Sequence, residues 1–303
     1  MTQPSANLEL RALAPIAVDV LASLCQHRLL TTRQVHDLHT PAASIRWTQQ
    51  LLETLDRRGL AQRASGPRRR SLWFATVRGA DTTRSAGTLA EPRRHIVTAA
   101  QAVGPLRAHT LAVNDAGLAF VNAARERPED ECGPLSWRHE IAHPYRPGRA
   151  RNGAHLVIAD ALLSYLQATD DSLVLRQRFV ELDRGTIPCE VLAEKLARYS
   201  QLRRFTVEAT ARPLWREHYR DFPAVLVVLA DQDAKATRRR IQRAIALLRS
   251  DHTNTGGEAA PVCFTALSDL TTDGPFAPIF ISAEQPDHYH GWLDLPRTEP
   301  NER

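Results

Sequence analysis

Apolar positions recur at helical spacing through the first third of the chain. Ile16, Val20, Leu21 and Leu24 make one such face, and Pro15 suits a first helical turn. Thr31 with Gln34 three residues on predicts a capped short helix. After a break at Thr40-Pro41, a third helix is expected over residues 42–58, with Ile45, Leu52 and Leu55 inside and Leu51 alongside. Its opposite face carries Ala43, Arg46, Trp47 and Gln50. Gly59-Leu60 ends it. Two strands, 60–63 and 71–77, then flank a turn at Ser65-Gly66-Pro67. Residues 82–92 read as a polar linker, followed by helical stretches at 94–103 and 109–127 and an acidic, proline-rich loop at 128–134.

Beyond residue 134 the pattern changes. Strands are expected at 135–143, 155–163 and 173–183, with a basic, proline-rich loop at 145–152 and a turn at 164–171. Helical spacing returns at 189–204, where Val191, Leu192, Leu196 and Leu202 mark the apolar face and Lys195 and Tyr199 fall within it. The unbroken run Ala224 to Ala230 predicts a buried central strand. A helix at 233–250, a strand at 261–267 and an irregular tail from Asp269 complete the chain. The expected fold class is α/β (α+β), in three parts: residues 1–80, a helical connector at 81–134, and a mixed-sheet domain at 135–303 with an irregular tail.

Composition adds two constraints. The four cysteines are far apart in sequence and form no C-x-x-C pair, which argues against a zinc site or disulfide framework. No apolar run approaches a membrane span, and Met1 to Leu10 lacks a signal pattern, so the cytoplasm is the expected location. Charge is uneven. Residues 1–94 hold 14 Lys+Arg against 7 Asp+Glu, and the remainder hold 25 against 27. The basic excess therefore lies in the first third, as expected of a nucleic-acid-binding domain on a near-neutral body.

Helix, helix, helix and basic hairpin is the order of a winged helix-turn-helix. The third helix would enter the major groove of double-stranded DNA, with Arg46 and Gln50 able to make bidentate base contacts and Trp47 beside them. Arg68, Arg69 and Arg70 at the hairpin turn would meet phosphates or the minor groove. The alternative is a winged helix used only for protein contacts. Winged helices often dimerise, so a homodimer is open, although no heptad run or apolar stripe specifies its interface.

The candidate chemistry centres on Phe179-Val-Glu-Leu-Asp-Arg-Gly-Thr186. On a strand, Glu181 and Asp183 share one face while Val180 and Leu182 share the other. Asp160 lies on the preceding strand. Two carboxylates on successive strands are hard oxygen ligands suited to a divalent cation. This constellation resembles the restriction-endonuclease-like core, in which an Asp and a Glu on adjacent strands hold Mg²⁺ and a Lys two residues after the Glu positions the attacking water. The resemblance implies Asp160 and Glu181 as ligands to Mg²⁺ or Mn²⁺, with Asp183 or Glu140 as a further ligand. Ala159 stands in place of the core's proline and Asp183 in place of its lysine. Lys195 on the following helix is the candidate substitute.

The whole chain also resembles the replication-relaxation family of plasmid and mobile-element proteins. The likeness rests on His109-x-Leu-x-Val-Asn-Asp115, Trp137-x-x-Glu140, Ala159-Asp-Ala161, and Glu181-Leu-Asp-Arg-Gly-Thr186 followed by Lys195-x-x-x-Tyr199. It implies a role in replication, DNA relaxation or mobilisation, in company with other replication or mobilisation proteins. Two readings follow. The first is a metal-dependent nickase using Asp160, Glu181, Asp183 and Lys195, with Tyr199 as nucleophile in one variant; His139 and His143 are the nearest to a relaxase's histidine cluster. The second is a non-catalytic DNA-binding accessory or regulatory factor whose nuclease-like domain is degenerate and whose charged residues form a structural ion network.

Overall fold

The computed structural model describes residues 13–66, 70–85, 87, 89, 96–150, 153–207, 212–230, 233–251 and 259–295. They form a mixed α/β structure in two compact units. One runs to Val121 and takes in Gly133–Arg138; the other comprises Asn122–Cys132 and His139–Arg303.

The first unit opens with α1 (Pro15–His27), β1 (Leu30–Thr31), α2 (Thr32–His39) and α3 (Ile45–Arg57), then β2 (Ala61–Ser65), β3 (Ser71–Ala75) and α4 (Val77–Ser85). Thr31 caps α2 through the expected capping box, accepting from the Gln34 amide while Gln34 Oε1 accepts from the Thr31 amide. Ser44 caps α3. The three strands form one antiparallel sheet in the order β1-β3-β2, with Leu30 opposite Trp73 and Ala61 opposite Ala75.

Two expectations for this unit are corrected. Ile45 is 40% exposed, and its place on the inner face of α3 is taken by Thr48, with Leu52 and Leu55. Thr48 is acceptable in the core because its hydroxyl is satisfied, 3.1 Å from His36 Nδ1 and 2.7 Å from Thr40 Oγ1. The linker expected over residues 82–92 is helical in its first four residues, which belong to an unforeseen helix, α4. Gly79 lets α4 approach the backbone at Leu60, where a Cβ would clash with the Leu60 carbonyl.

The stretch read as a connector continues with α5 (Ala99–Val103) and α6 (Arg107–Arg125). Its polar residues are anchors. Asn114 Nδ2 donates to the carbonyls of His27 (3.3 Å) and Leu29 (2.8 Å), and Asn114 Oδ1 accepts from Trp137 Nε1 at 3.1 Å. Gln34 Nε2 donates to the Leu111 carbonyl and to Asp115 Oδ1. Trp137 stacks on His27 with ring centroids 3.8 Å apart.

The second unit is built on a seven-stranded mixed sheet, ordered β12-β11-β10-β9-β6-β5-β4. β4 (Trp137–Ala150), β5 (Gly153–Ala168) and β6 (Leu173–Asp183) are neighbours in sequence order, and β5 pairs antiparallel with β6. The helix α7 (Cys189–Arg204) leads to β9 (Ala224–Leu229), parallel to β6; two short strands, β7 (Thr206–Val207) and β8 (Arg212–Pro213), intervene. The helix α8 (Ala234–Ser250) leads to β10 (Val262–Ala266), parallel to β9. Phe179, Val225, Val227 and Phe264 of the sheet share one core with Leu192, Leu196 and Leu202 of α7 and Ile241, Ile245 and Leu248 of α8.

Two further expectations yield here. The proline-rich stretch after Tyr145 belongs to β4, which can carry Pro144 and Pro147 because it is an edge strand. The tail is ordered into α9 (Leu267–Thr272), β11 (Phe280–Ser282) and β12 (Tyr289–His290), with Trp292 fully buried. Strands of two and three residues are too short to show a period, which is why proline spacing read as irregular chain.

Candidate functional site

Glu181 lies near the C-terminal end of β6 on the face that Phe179 gives to the helix-covered core. That placement buries a carboxylate, and the covering helix answers it. Lys195 and Tyr199 stand one helical turn apart on α7, so both reach the same strand position. Lys195 Nζ donates to Glu181 Oε2, and Tyr199 Oη donates to Glu181 Oε1.

Asp160 completes the group from β5. Strand β5 changes phase at this point: Val157 and Ala159 join the helix-side core, and so does Leu162. The one-to-one pairing with β6 begins only at Ala161 opposite Val180. Asp160 Oδ2 accepts from the Leu182 amide at 2.8 Å, and Asp160 Oδ1 lies 3.6 Å from Lys195 Nζ. One ammonium thus faces two carboxylates on adjacent strands.

Burial grades the group. The side chains of Glu181, Asp160 and Lys195 are 3%, 20% and 28% exposed. Burial, then the neighbouring Asp160 charge, raise the Glu181 pKa to about 8, against the opposing pull of Lys195 and Tyr199. Burial alone would lower the Lys195 pKa, but Glu181 and Asp160 outweigh it and the value is raised. Burial and then Glu181 hold the Tyr199 phenol well above its ordinary value. Lys195 and Asp160 lie at the solvent side of the cluster and Glu181 behind them.

Asp183 faces the same layer as Glu181 but is bound elsewhere. Arg240 of α8 grips it with Nε on Oδ2 and Nη2 on Oδ1 at 3.0 Å, while Arg240 Nη2 also donates to the Ile187 carbonyl at 2.8 Å. The Gly185 amide donates to Asp183 Oδ1 at 2.9 Å, and Gly185 takes φ +68°, a turn conformation that favours glycine. The structure thus brings together Asp160, Glu181, Lys195 and Tyr199, and turns Asp183 to a second helix. The Arg240 partnership escaped the sequence. Its signal was position: Arg240 is three residues after buried Thr237 and four before buried Ala244, on the flank of the inner face.

Glu140 sits on β4 with φ +55°. His143 is buried and hydrogen-bonds the Tyr219 hydroxyl at 2.7 Å; His139 is also buried. In the first unit, Arg46, Trp47 and Gln50 are exposed on α3, Trp47 by 41%. Arg70 is exposed beside the start of β3, and Arg68 and Arg69 lie outside the described residues.

Asp160 and Glu181 are the hard-oxygen groups that could hold a divalent cation, which needs only one or two carboxylates, but the position they converge on is held by the Lys195 ammonium, whose place the ion would have to take. Among the described residues no group of three or more His, Cys, Asp and Glu side chains comes together as ligands. No helix among them is long and apolar enough to cross a membrane.

Comparison with known proteins gives one family match, to the family described as replication-relaxation, over residues 21–213, more than half of the chain and inclusive of the whole carboxylate cluster. No curated protein and no solved structure matches.

Proposed function

The chain belongs to the replication-relaxation family, and on that premise we propose that it binds DNA in plasmid or mobile-element replication and mobilisation and nicks the strand it holds. The observation that carries the cleavage reading is the convergence of Lys195 on both Asp160 and Glu181. It supplies from a helix the lysine that a restriction-endonuclease-like site takes from the strand.

The roles divide by exposure. Lys195 and Asp160, at the open edge, are the groups able to meet a scissile phosphate and a water; Lys195 orients them. Glu181 lies behind and fixes Lys195. Tyr199 is too buried to reach DNA and donates to Glu181, so it acts as a positioning residue and not as the nucleophile of the phosphotyrosyl variant. A divalent cation held by Asp160 and Glu181 would supply Lewis acidity and a lowered water pKa. Asp183, neutralised by Arg240, shapes the strand end.

DNA binding is assigned to the first unit. Its order of helix, strand, helix, helix, strand, strand around a three-stranded antiparallel sheet supports a winged helix. The exposure of Arg46, Trp47 and Gln50 on α3 supports that helix as the reader.

A specific observation favours the second reading. Lys195, Tyr199 and the Leu182 amide already satisfy most of the carboxylate oxygens, as a structural ion network would. Supercoiled plasmid separates the two. The expected result is conversion to open circles with Mg²⁺ or Mn²⁺, lost in Asp160→Ala and Glu181→Ala while DNA binding survives. Wild-type protein that binds DNA but never relaxes plasmid with any divalent metal is the accessory factor.

A further inference from the structure

The helix α8 contains Lys235, Arg238, Arg239, Arg240, Arg243 and Arg249 and no acidic residue. Two of these cations have internal partners: Arg240 holds Asp183, and Arg243 pairs with Glu190. Lys235, Arg238, Arg239 and Arg249 are exposed and have no carboxylate partner among the described residues.

The arrangement runs against helix stability. Lys235 and Arg239, and Arg239 and Arg243, are like charges four apart. Lys235 lies in the first turn, where the macrodipole favours anions, and Arg238 to Arg240 come in the second; Arg249 alone stands in the last turn, which favours a cation. Asp233 is the single acidic group at the first turn, as the cap. A local rule broken without an internal compensation points to a function.

Position says which. Arg240 and Arg243 tie α8 to Asp183 and Glu190, the segment that follows Glu181 at the end of β6. Arg238 and Arg239 immediately precede Arg240. From Lys235 to Arg249 the row spans about 21 Å at the helical rise, the length of about six nucleotides of one strand. A regular polyanion matches a row of guanidinium groups that has no acidic gaps.

We infer that the exposed face of α8 is a second DNA contact, separate from the winged helix, which holds the phosphodiester backbone. The inference rests on the DNA-binding half of the proposed function and not on cleavage.

The test uses the full chain and a fluorescein-labelled 30-base-pair duplex of arbitrary sequence, with binding followed by anisotropy over a KCl series. Arg238→Gln/Arg239→Gln/Arg249→Gln should weaken binding and flatten the slope of log K against log [KCl] by about one unit for each phosphate no longer neutralised, up to about three. The Arg→Lys counterpart should keep the wild-type slope. The Gln variant should also melt no lower than wild type, since it removes repulsion, so weaker binding is not misfolding. An unchanged slope in the Gln variant overturns the inference, as does wild type that fails to bind the duplex at all. Wild type that binds but never nicks plasmid leaves the inference to stand or fall on the slope alone and rejects only the cleavage reading.

Discussion

The contact between Lys195 and Glu181 should be measurable as a coupling energy. Removing Lys195 with Lys195→Met leaves a carboxylate only 3% exposed with the Tyr199 hydroxyl alone to answer it. The gross attraction of an ion pair at this kind of separation is about 4 kcal/mol at an effective dielectric near 20. Desolvation of the ammonium offsets part of that, and Lys195 retains enough exposure for solvent to screen more. Glu181 can also take up a proton, because its pKa of about 8 already lies above neutrality and rises further without the lysine. The net coupling should then be about 2 kcal/mol, a large share of a typical domain's stability. Urea unfolding of wild type, Lys195→Met, Glu181→Gln and the double variant at low salt and pH 9, where Glu181 is ionised and Lys195 still charged, gives the cycle. The two single costs should sum to about 2 kcal/mol more than the cost of the double variant. Singles that add to within about 0.5 kcal/mol would show that the two groups do not interact in solution, and the site as described would be wrong.

Two other outcomes follow from the same geometry. Glu181 has its pKa raised from 4.5 to about 8, so the folded state holds a proton that the unfolded chain has released. Its contribution is therefore full below pH 4.5 and is lost as pH rises through 8; the raised Lys195 value acts only at higher pH. The urea midpoint should fall between pH 5 and 8 in wild type and should fall less steeply in Glu181→Gln; parallel profiles would remove Glu181 as the cause. In the first unit, Gly117→Ala would place a Cβ 2.5 Å from the Trp137 ring, which is buried and stacked on His27. The intrinsic helix preference for Ala is worth about 1 kcal/mol, yet overpacking should cost about 1–3 kcal/mol; a higher melting temperature for the variant would refute that packing.

The elements with their own period were legible. The run Ala224 to Ala230 became β9, and the spacing over residues 189–204 and 233–250 became α7 and α8 with boundaries shifted by no more than a residue. The inward setting of Lys195 and Tyr199 could be read because a charged residue in the middle of an apolar stripe must find a partner. Features fixed by tertiary contacts could not. Asn114 and Asp115 look like an exposed polar face, and only the chain ends of α1 and the side chain of Gln34 make them anchors. Thr48 passes for a surface residue until His36 and Thr40 close around its hydroxyl. The phase change at Asp160 has no sequence marker either, because a strand that shifts face mid-course still alternates on both sides of the shift.

That phase change matters to the chemistry. Glu181 and Asp183 share a face, and one helix could not serve both: α7 commits its one lysine to Glu181 and Asp160 and its tyrosine to Glu181. Had Asp183 turned to the same helix, three carboxylates would have surrounded one ammonium, and at least one would have had to stay protonated. Instead α8 neutralises Asp183 with a bidentate arginine, and Asp160 is drawn in as the second carboxylate by its bond to the Leu182 amide. The site therefore depends on two helices over the end of β6, each taking one acid of that strand. This predicts an order of sensitivity. Arg240→Met should disturb the strand end and the seating of α8, whereas Lys195→Met should alter charge at the cluster with α8 still in place. Thermal unfolding together with Mg²⁺-titration shifts in the two variants would tell them apart. An Arg240→Met protein that keeps wild-type stability and wild-type response to Mg²⁺ would show that Asp183 is not separately neutralised.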